Sequence, residues 1–564
     1  MKYWFIVLLS IQLAVSQNPY PQDYFNSPLE IPIILSGTFG ELRNNHFHSG
    51  MDIKTQQTEG LKVLAAADGY VSRIKIAHYG YGKALYITHP NGYTTVYAHL
   101  QKLAPKLEAY LKKEQYQREI FEIELFPVAN ELQVTQGEVI AYSGNTGSSG
   151  GPHLHYEIRD NLERPINPML FGLIPRDSKA PVIQNIYVYP KDKYSYINGK
   201  NQRKELRIIP KANNEYEIEP FTAFGTIGFG ITSHDLLDLA ANKNGVSNIA
   251  THLNGVKNFE IDFKKFSFDE TSHLNRFIDY EHYKTKRSLV QKLFVEPNNP
   301  LSLFRNVIDN GYIKVTDSTH SIYKIVVSDF AGNKAQVHIS IDGEKQSLPE
   351  KNTNFEVNPD LRYVYANQAT IIEDQHVSVN IPANTFYDDV NLKFKVSGDT
   401  LKLHEDIIPL QNNIGIHYDV SGYDDVDKNK LFIARLVGYR KNALHLPTMK
   451  VNNTLSAYSK TLGEFTLKYD TKAPQVAPIN WQNGKWLSNY RYLKIKITDD
   501  LSGISSYRAT VNGKFILLEY DYKTNTLTHD FNDNVVTDTR NELKLIVVDN
   551  VGNSTTFEAT FFRK

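Results

Sequence analysis

The amino-acid sequence predicts an all-β protein with one inserted helix, in which an antiparallel-sheet domain is followed by about three β-sandwich modules. Three observations lead to this fold class. Short apolar strands separated by glycine turns begin near Ile31 and continue to the end of the chain. The chain holds 35 Tyr and 28 Phe, side chains that favour pleated, half-buried strands. At 564 residues it is long enough for three or four domains of about 150 residues each.

The first domain, at residues 17–176, has the pattern of an antiparallel sheet. "KVLAAADGYVSRIKIA" breaks at the Asp-Gly pair 68–69, which predicts a hairpin. "KALYITHPNGYTTVYAHL" predicts two strands joined through the turn at 90–92. "GEVIAYSGNTG" and "HLHYEIRD" each add a strand. No helix-length segment separates these strands, as a parallel crossover would require.

One segment of this domain, at 103–127, interrupts the strand pattern. It is rich in helix formers, with Leu107, Tyr110 and Leu111 at helical spacing. We expect an inserted helix at roughly 107–117, followed by a strand.

The remainder predicts three modules, at 177–345, 346–470 and 471–564, referred to below as the first, second and third modules. "IYKIVVSDFAGNKAQVHISI" and "LKLIVVDNVGNSTTFEATFF" share a strand, an Asp, an Ala/Val-Gly-Asn turn and a second strand. "SKAPVI" and "TKAPQV" have the character of matched module openings. Strands at this spacing predict β-sandwiches of immunoglobulin-like size. Asp329 and Asp549, in the two repeated turns, are interpreted as turn residues in preference to calcium ligands.

The amino terminus, "MKYWFIVLLSIQLAVSQ", has the layout of a secretory signal. Lys2 precedes an apolar run at 3–15, and small residues stand at Ala14 and Ser16. The run is shorter than the ~20 residues that span a bilayer. We expect residues 1–16 to be a cleaved signal peptide and the mature protein to be soluble and exported, either periplasmic or secreted, with no transmembrane segment.

Composition excludes several functions. The chain has no cysteine, so disulfides, thiolate metal ligands, a cysteine nucleophile and lipoprotein acylation are excluded. The formal net charge is zero, and nothing in the charge pattern indicates nucleic acid or an anionic membrane as partner.

Histidines cluster in three pieces of the first domain: "HFHSGMD", "YAHL" and "GPHLHYE". Without cysteine, imidazole and carboxylate are the strong metal donors left, and a catalytic zinc takes three such ligands. His153 and His155 are two apart, so they share one face of a strand at a spacing of ~6.6 Å. His48 and Asp52 would be ~13 Å apart in a straight strand, a span that a bend at Gly50 could shorten.

These motifs, in this order and together with "VLAAADGYVSRI" and "INP", resemble the lysostaphin-type, LytM-domain zinc metallopeptidases over roughly 35–175. The subgroup that carries β-sandwich modules behind the peptidase is the most similar. The resemblance implies a sheet of the duplicated hybrid type with a narrow groove across it. It implies Zn²⁺ held by His48, Asp52 and His155, with His99 and His153 flanking the bound water and the scissile carbonyl. The implied substrates are peptide bonds in peptidoglycan stems or cross-links.

Several alternatives stay open on sequence alone. Either His99 or His153 could act as the general base while the other stabilises the oxyanion. Glu157 could orient a ligand or pair with a nearby Arg or Lys. His46 is not expected to be a ligand.

The function likewise has alternatives. The main one is a catalytically silent LytM-type protein that binds wall or activates an amidase, and another is a mainly adhesive sandwich protein. The intact set of five residues favours the enzyme. The insertion at 103–127 lies where it could wall or cover the groove, and the modules are expected to position the enzyme or bind a protein partner.

Overall fold

The computed structural model describes residues 18–345, 360–423 and 427–564. The predicted signal peptide at 1–16 lies outside the described residues. β-Strand is the predominant secondary structure, at 46% against 8% helix, which confirms the predicted all-β class. None of the helices within the described ranges is both long and apolar enough to cross a bilayer.

The first domain is built on a nine-stranded antiparallel sheet. Its central strand, His153–Arg159, pairs with Met51–Lys54 on one side and with Thr94–Ala98 on the other. This register places His155 opposite both Asp52 and Ala98. The remaining strands of the sheet are Leu35–Gly37, Gly69–Ile76, Lys83–Thr88, Ile123–Leu125, Gln133–Val134 and Pro165–Ile166.

The hairpin predicted at 90–92 is confirmed, because Lys83–Thr88 and Thr94–Ala98 pair antiparallel. The hairpin predicted at 68–69 is wrong. Lys62–Leu64 pairs with Val139–Tyr142 in a separate three-stranded sheet, completed by Lys102–Leu103, whereas Gly69–Ile76 belongs to the large sheet. The alanines at 65–67 are buried, so the chain crosses the core from one sheet to the other before the Asp-Gly pair turns it.

The two sides of the central strand face different surroundings. Leu154, Tyr156 and Ile158 are completely buried in the core of the first domain. The alternate residues, beginning with His153 and His155, lie on the opposite face of the sheet. The candidate site is on that second face.

The inserted helix is Pro105–Arg118, slightly longer than predicted. Pro105 stands in its first turn, where a missing N–H and a fixed φ do no harm. Leu107 and Leu111 are buried against the domain. The strand expected after the helix is Ile123–Leu125, paired with Gly69–Ile76.

The first module contains a thirteen-stranded assembly around one apolar core. It also has two short α-helices that the sequence analysis missed, Leu274–Phe277 and Tyr280–Lys286. They are too short to show helical periodicity, and the second is capped by Asp279, which accepts the His282 N–H at 3.0 Å. The strands are Val182–Pro190, Tyr196–Ile197, Lys204–Leu206, Ile208–Pro210, Glu215–Ile218, Phe221–His234, Asn248–Leu253, Val256–Asp262, Gln291–Lys292, Phe304–Arg305, Ile313–Val315, His320–Ser328 and Lys334–Gly343.

The second and third modules each have two sheets that enclose a single core, the arrangement of a β-sandwich. The second module contains Leu361–Val364, Thr370–Asp374, Val377–Ile381, Val390–Ser397, Thr400–Leu403, Ile414–Asp419, Leu431–Val437, Asn442–His445, Met449–Val451, Thr454–Ser459 and Gly463–Tyr469. The third contains Gln475–Pro478, Lys485–Trp486, Tyr492–Thr498, Ile504–Val511, Lys514–Ile516, Glu519–Asp521, Thr526–Asp530, Arg540–Asp549 and Ser554–Phe562.

The repeated closing hairpin is confirmed in both places. His320–Ser328 pairs with Lys334–Gly343, and Arg540–Asp549 pairs with Ser554–Phe562. The module boundaries near 177, 345 and 471 stay predictions.

The third module folds back onto the first domain. The Tyr116 hydroxyl on the inserted helix donates to Asp533 Oδ2 at 2.6 Å, and Lys112 forms an ion pair with the same carboxylate. Lys83 Nζ lies 2.8 Å from a Glu519 oxygen. The inserted helix is therefore a docking element for the last module.

Candidate metal centre

Three side chains from two distant segments of the sequence meet on the open face of the first domain. His48 Nε2 lies 3.0 Å from Asp52 Oδ1 and 3.1 Å from His155 Nδ1. His155 Nδ1 lies 2.9 Å from the same Asp52 oxygen. All three residues are buried, with at most 8% exposure. The structure thus brings together the three residues that the sequence analysis assigned to zinc.

A bend before the strand Met51–Lys54 brings His48 to Asp52. His48 precedes the strand, so the ~13 Å separation of a straight strand does not apply. Gly50 passes so close to the central strand that a Cβ there would lie 2.8 Å from Glu157 Cγ. A residue without a side chain is required at this close approach.

Hydrogen bonds to the remaining imidazole nitrogens orient both histidine ligands. His48 Nδ1 donates to the Thr38 carbonyl at 2.7 Å, which leaves the Nε2 lone pair free. His155 Nε2 donates to Glu157 Oε1 at 2.8 Å, which leaves Nδ1 free. Each free nitrogen is the one that faces Asp52, the arrangement that metal-binding histidines require.

Glu157 has both of the roles considered for it, because it orients a metal-binding histidine and also pairs with an arginine. It orients His155, and its Oε2 accepts the Nε–H of Arg159 at 2.6 Å. Oε1 also accepts the hydroxyls of Ser49, at 2.6 Å, and Tyr81. The carboxylate is completely buried, so every one of its partners is a protein group.

The geometry of the three ligand atoms fits a zinc ion. Two imidazole lone pairs and a carboxylate oxygen at 2.9–3.1 Å repel one another unless positive charge lies between them. Tetrahedral zinc with Zn–N bonds of ~2.0–2.1 Å places its ligand atoms roughly 3.3 Å apart. A slight expansion of the observed triangle reaches that spacing, and the donor set of two nitrogens and one oxygen is one that zinc accepts.

The electrostatics of the centre agree with this fit. Burial acts to raise the pKa of Asp52, but the neighbouring histidines hold it well below its usual range. Burial acts to lower the pKa of His155, but hydrogen bonds to Asp52 and Glu157 outweigh it and raise the pKa to about 9. The two carboxylates therefore favour positive charge on His155, which a metal ion on Nδ1 can supply in place of a proton.

His99 and His153 lie beside the three converging residues, with their rings 4.8 Å apart. His99 Nδ1 bonds to the Thr146 carbonyl at 2.9 Å, and His153 Nδ1 bonds to the Gly151 carbonyl at 2.8 Å. Neither carbonyl engages Nε2, and Nε2 of His153 lies 3.4 Å from Asp52 Oδ1. Burial lowers the pKa of His99, and the neighbouring His155 and His153 lower it further, to about 3, so its imidazole is neutral near pH 7.

A groove of about 570 Å³ opens next to Asp52 and His153. Its walls include the glycine-rich loop at 150–152 and the segment 31–36, and Leu239 of the first module also contributes. Arg43 projects into it, with Nη2 3.1 Å from Asp52 Oδ2. The groove therefore borders Asp52, one of the three converging residues.

The first module holds the loop that carries His48, a role that the sequence analysis missed. Phe47 packs among three of its aromatic rings, and the Phe47 N–H donates to Thr271 Oγ1 at 2.8 Å. Asn44 and Asn45 bond to Tyr283 and Asn275 of the same module. The apolar Phe47 between the two histidines of "HFH" was the sequence feature that could have indicated this packing. His46 is exposed and bonds only to the Asn44 carbonyl among described groups.

Comparison with known proteins identifies two segments. Residues 46–117 and 112–168 match the model of Peptidase family M23, and residues 361–470 match the Zu5-like domain. The chain is 37% identical over 126 residues to the DD-carboxypeptidase/endopeptidase Mpg of Neisseria meningitidis serogroup B, a match that covers 22% of this chain and 23% of that protein. It is 34% identical over 134 residues to the peptidoglycan DD-endopeptidase ShyA of Vibrio cholerae, covering 24% and 25%.

An uncharacterized metalloprotease of Haemophilus influenzae is 37% identical over 22% of this chain and 21% of its own length. The chain therefore spans about a quarter of the length of these relatives. Among solved structures, the catalytic domain of lysostaphin from Staphylococcus simulans matches 27% of this chain and 92% of its own, at 24% identity and a TM-score of 0.17.

Proposed function

Because residues 46–168 form a domain of peptidase family M23, of the lysostaphin (LytM) type, we propose that this protein is an exported zinc metalloendopeptidase acting on peptidoglycan. Its substrates are peptide bonds in the stems or cross-links. The observation that carries the proposal is the convergence of His48 Nε2, Asp52 Oδ1 and His155 Nδ1 within 3.1 Å of one another.

The reaction divides between the metal and the surrounding side chains. Zinc, when bound by His48, Asp52 and His155, polarises the scissile carbonyl and lowers the pKa of a coordinated water from 15.7 toward ~7. His99 and His153 have their Nδ1 atoms on backbone carbonyls and their Nε2 atoms free of those carbonyls, beside the three metal-binding candidates. One of them takes the proton from the attacking water and returns it to the leaving amine, a contribution of typically ~10²–10⁴-fold. The other would lie beside the oxyanion, to which it could donate only after taking up a second proton from solvent.

The groove supports a peptide as the substrate. Asp52 and His153 line it directly, so a chain lying along the loop at 150–152 passes the metal ligands. Arg43, which bonds to Asp52 and Glu41, and Lys54 are the cations on the described groove wall, and either offers a charge for a substrate carboxylate. Peptidoglycan stems carry such carboxylates, and two of the relatives are named for peptidoglycan or DD-peptide cleavage.

Export follows from the signal-like amino terminus and from the location of peptidoglycan outside the inner membrane. The β-sandwich modules are proposed to hold the peptidase domain in position or to bind a protein partner. The first module already completes the loop that carries His48.

The test is digestion of purified peptidoglycan by the mature, zinc-loaded chain, with new amino termini identified by mass spectrometry. We expect fragments from the wild type and none from His155→Ala. His46→Ala is the matched control, because His46 lies in the same loop as His48 but is exposed, and it should retain activity.

Zinc content per chain is measured on the same samples. One zinc in the wild type and in His46→Ala, with loss in His155→Ala, supports the proposed centre. Wild type that binds zinc but releases no fragments would favour the silent, wall-binding alternative. Equal digestion by wild type and His155→Ala would overturn the assignment.

A further inference from the structure

Two groups of three aspartates lie outside the metal centre, one in the first module and one where the third module follows the second. Asp177, Asp235 and Asp329 form the first group, and the second group is Asp470, Asp499 and Asp549. In each group, one oxygen from every carboxylate lies within 4.8 Å of the others. Neither group contains a histidine, so only oxygen ligands are offered.

The aspartates that open the two modules correspond. Asp177 and Asp470 both begin an Asp-Ser/Thr-Lys-Ala-Pro stretch. Each accepts the N–H of the lysine two residues on, Lys179 at 3.0 Å and Lys472 at 3.1 Å. The same local conformation therefore starts both modules.

The aspartates of the repeated turn also correspond. Asp329 accepts both the backbone and the side-chain N–H of Asn333 at 2.9 Å. Asp549 accepts the same two groups of Asn553, at 2.8 and 2.7 Å. The turn role predicted for Asp329 and Asp549 is confirmed by these bonds. It does not account for the two further carboxylates beside each of them.

The third members follow equivalent strands. Asp235 comes directly after Phe221–His234, and Asp499 comes directly after Tyr492–Thr498. The same arrangement of three aspartates therefore occurs twice, in two modules whose openings and closing hairpins also correspond.

The carboxylates of the first group form no ion pair within 4.0 Å with any described cationic side chain. Asp235 is 2% exposed, and its Oδ1 has no hydrogen-bond partner in the described structure. The nearest lysine of the module opening, Lys179, donates instead to the Leu237 carbonyl at 3.2 Å. A buried carboxylate oxygen that has no partner and lies beside two other carboxylates destabilises the folded state, unless a cation binds between them. Burial and the neighbouring Asp177 and Asp329 raise the pKa of Asp235 to about 7.

The second group also lacks a cationic partner, although Asp499 Oδ2 accepts the backbone N–H groups of Leu501 at 3.1 Å and Gly503 at 2.7 Å. Lys472 is directed away, to Asp500 at 3.5 Å, and none of Asp470, Asp499 and Asp549 has a cationic partner within 4.0 Å among described side chains. Ser502 donates its N–H to Asp470 Oδ2 at 3.1 Å, while its Oγ, in a residue 1% exposed, finds no partner. A buried oxygen atom without a partner in the described structure thus belongs to the first group, at Asp235, and lies beside the second, at Ser502.

A small cavity adjoins the first group. Its volume is about 20 Å³, and it is lined by Asp177 and Asp235 together with Thr38 and Asn167 of the first domain. A space of ~10–15 Å³ holds one water-sized particle. The cavity therefore has room for one ligand of a metal ion.

We propose that each aspartate group binds one calcium ion. Calcium takes carboxylate and carbonyl oxygens at ~2.3–2.6 Å, so oxygens bound to one ion lie up to roughly 5 Å apart. The carboxylate oxygens of each group, all within 4.8 Å of one another, satisfy that limit. A purely oxygen donor set selects a hard cation over zinc. At both sites the ion binds the aspartate of the module opening, where the chain leaves the preceding domain, and the aspartates of two turns within the module. It thereby fixes the orientation of the first module on the first domain, and of the third module on the second.

The test counts calcium ions bound by the full, zinc-loaded chain. Equilibrium dialysis at about 2 mM free calcium exceeds the ~10⁻⁴–10⁻³ M dissociation constants of extracellular calcium modules. We expect two ions per wild-type chain, one in Asp235→Asn, one in Asp499→Asn and none in the double variant. Asp500→Asn, next to Asp499 but with a side chain 58% exposed, is the matched control and should bind two.

Thermal unfolding separates ligand loss from misfolding. Calcium should raise the Tm of the wild type, and the double variant should show no shift. Without calcium, Asp235→Asn should be at least as stable as the wild type, because it removes an unpaired buried charge. No calcium uptake by the wild type, or two ions retained by the double variant, would overturn the proposal.

Discussion

Glu157 is the residue through which the metal centre and the core of the first domain are coupled. Substitution to Gln keeps the shape but removes the charge. The amide also presents an N–H where the carboxylate accepted hydrogen bonds from His155, Ser49, Tyr81 and Arg159. At least one of these donors must then face another donor.

The expected loss of stability follows from the burial of the pair. The carboxylate of Glu157 is completely buried and the Arg159 side chain is 5% exposed. Burial acts to raise the pKa of Glu157, but Arg159 and His155 lower it overall, so the group is ionised. Removing one partner of a buried ion pair costs about 3–5 kcal/mol. We expect a loss of this size in Glu157→Gln.

The metal affinity should fall as well. His155 donates its Nε2–H to Glu157, and weakening such an orienting bond typically lowers metal affinity ~10–100-fold. Zinc affinity is measured by competition with a chromogenic chelator. Local stability is measured by amide hydrogen exchange in the strand His153–Arg159, because a chain with several domains does not unfold in one step.

Two variants test the reasoning. Glu163 pairs with the same Arg159 at 3.0 Å but is 59% exposed, so Glu163→Gln should cost less than about 1 kcal/mol and leave zinc affinity unchanged. Adding Arg159→Met to Glu157→Gln should recover part of the lost stability, since no unpaired charge remains. If Glu157→Gln and Glu163→Gln behave alike in both measurements, the coupling is refuted.

Three further predictions concern other parts of the molecule. Gly50→Ala should lower the free energy of unfolding by about 1–3 kcal/mol and weaken zinc binding, because the added Cβ collides with the central strand near Tyr156. An unchanged zinc affinity would contradict this prediction. Asp533→Ala removes the shared acceptor of Tyr116 and Lys112, so small-angle scattering should show a more extended chain than the wild type, and an identical radius of gyration would count against docking by this contact. Chelation of zinc should lower the Tm of the wild type but not of His155→Ala, as calorimetry can check; equal shifts would place the bound metal elsewhere.

Part of the fold and of the site could be predicted because the controlling interactions are local. The two-residue period of "HLHYEIRD" directed Leu154 and Tyr156 to the core and left His155 on the open face. The turn at 90–92 formed the hairpin that its residues favour. The Asp-Gly pair at 68–69 did not form a hairpin, because the buried alanines before it carry the chain from one sheet to another. The local sequence pattern does not indicate which sheet each strand joins.

The sequence by itself determined which side chains could bind a metal, which face of the central strand they occupy and where the helix lies, since periodicity and turn chemistry act over a few residues. The tertiary structure decided that His48 and His155, 107 residues apart, meet at 3.1 Å. It also decided that Phe47 is anchored in the next module and that Asp533 receives the inserted helix. These contacts depend on how whole sheets pack, because their energies come from burial and charge pairing between segments that the chain order does not bring together.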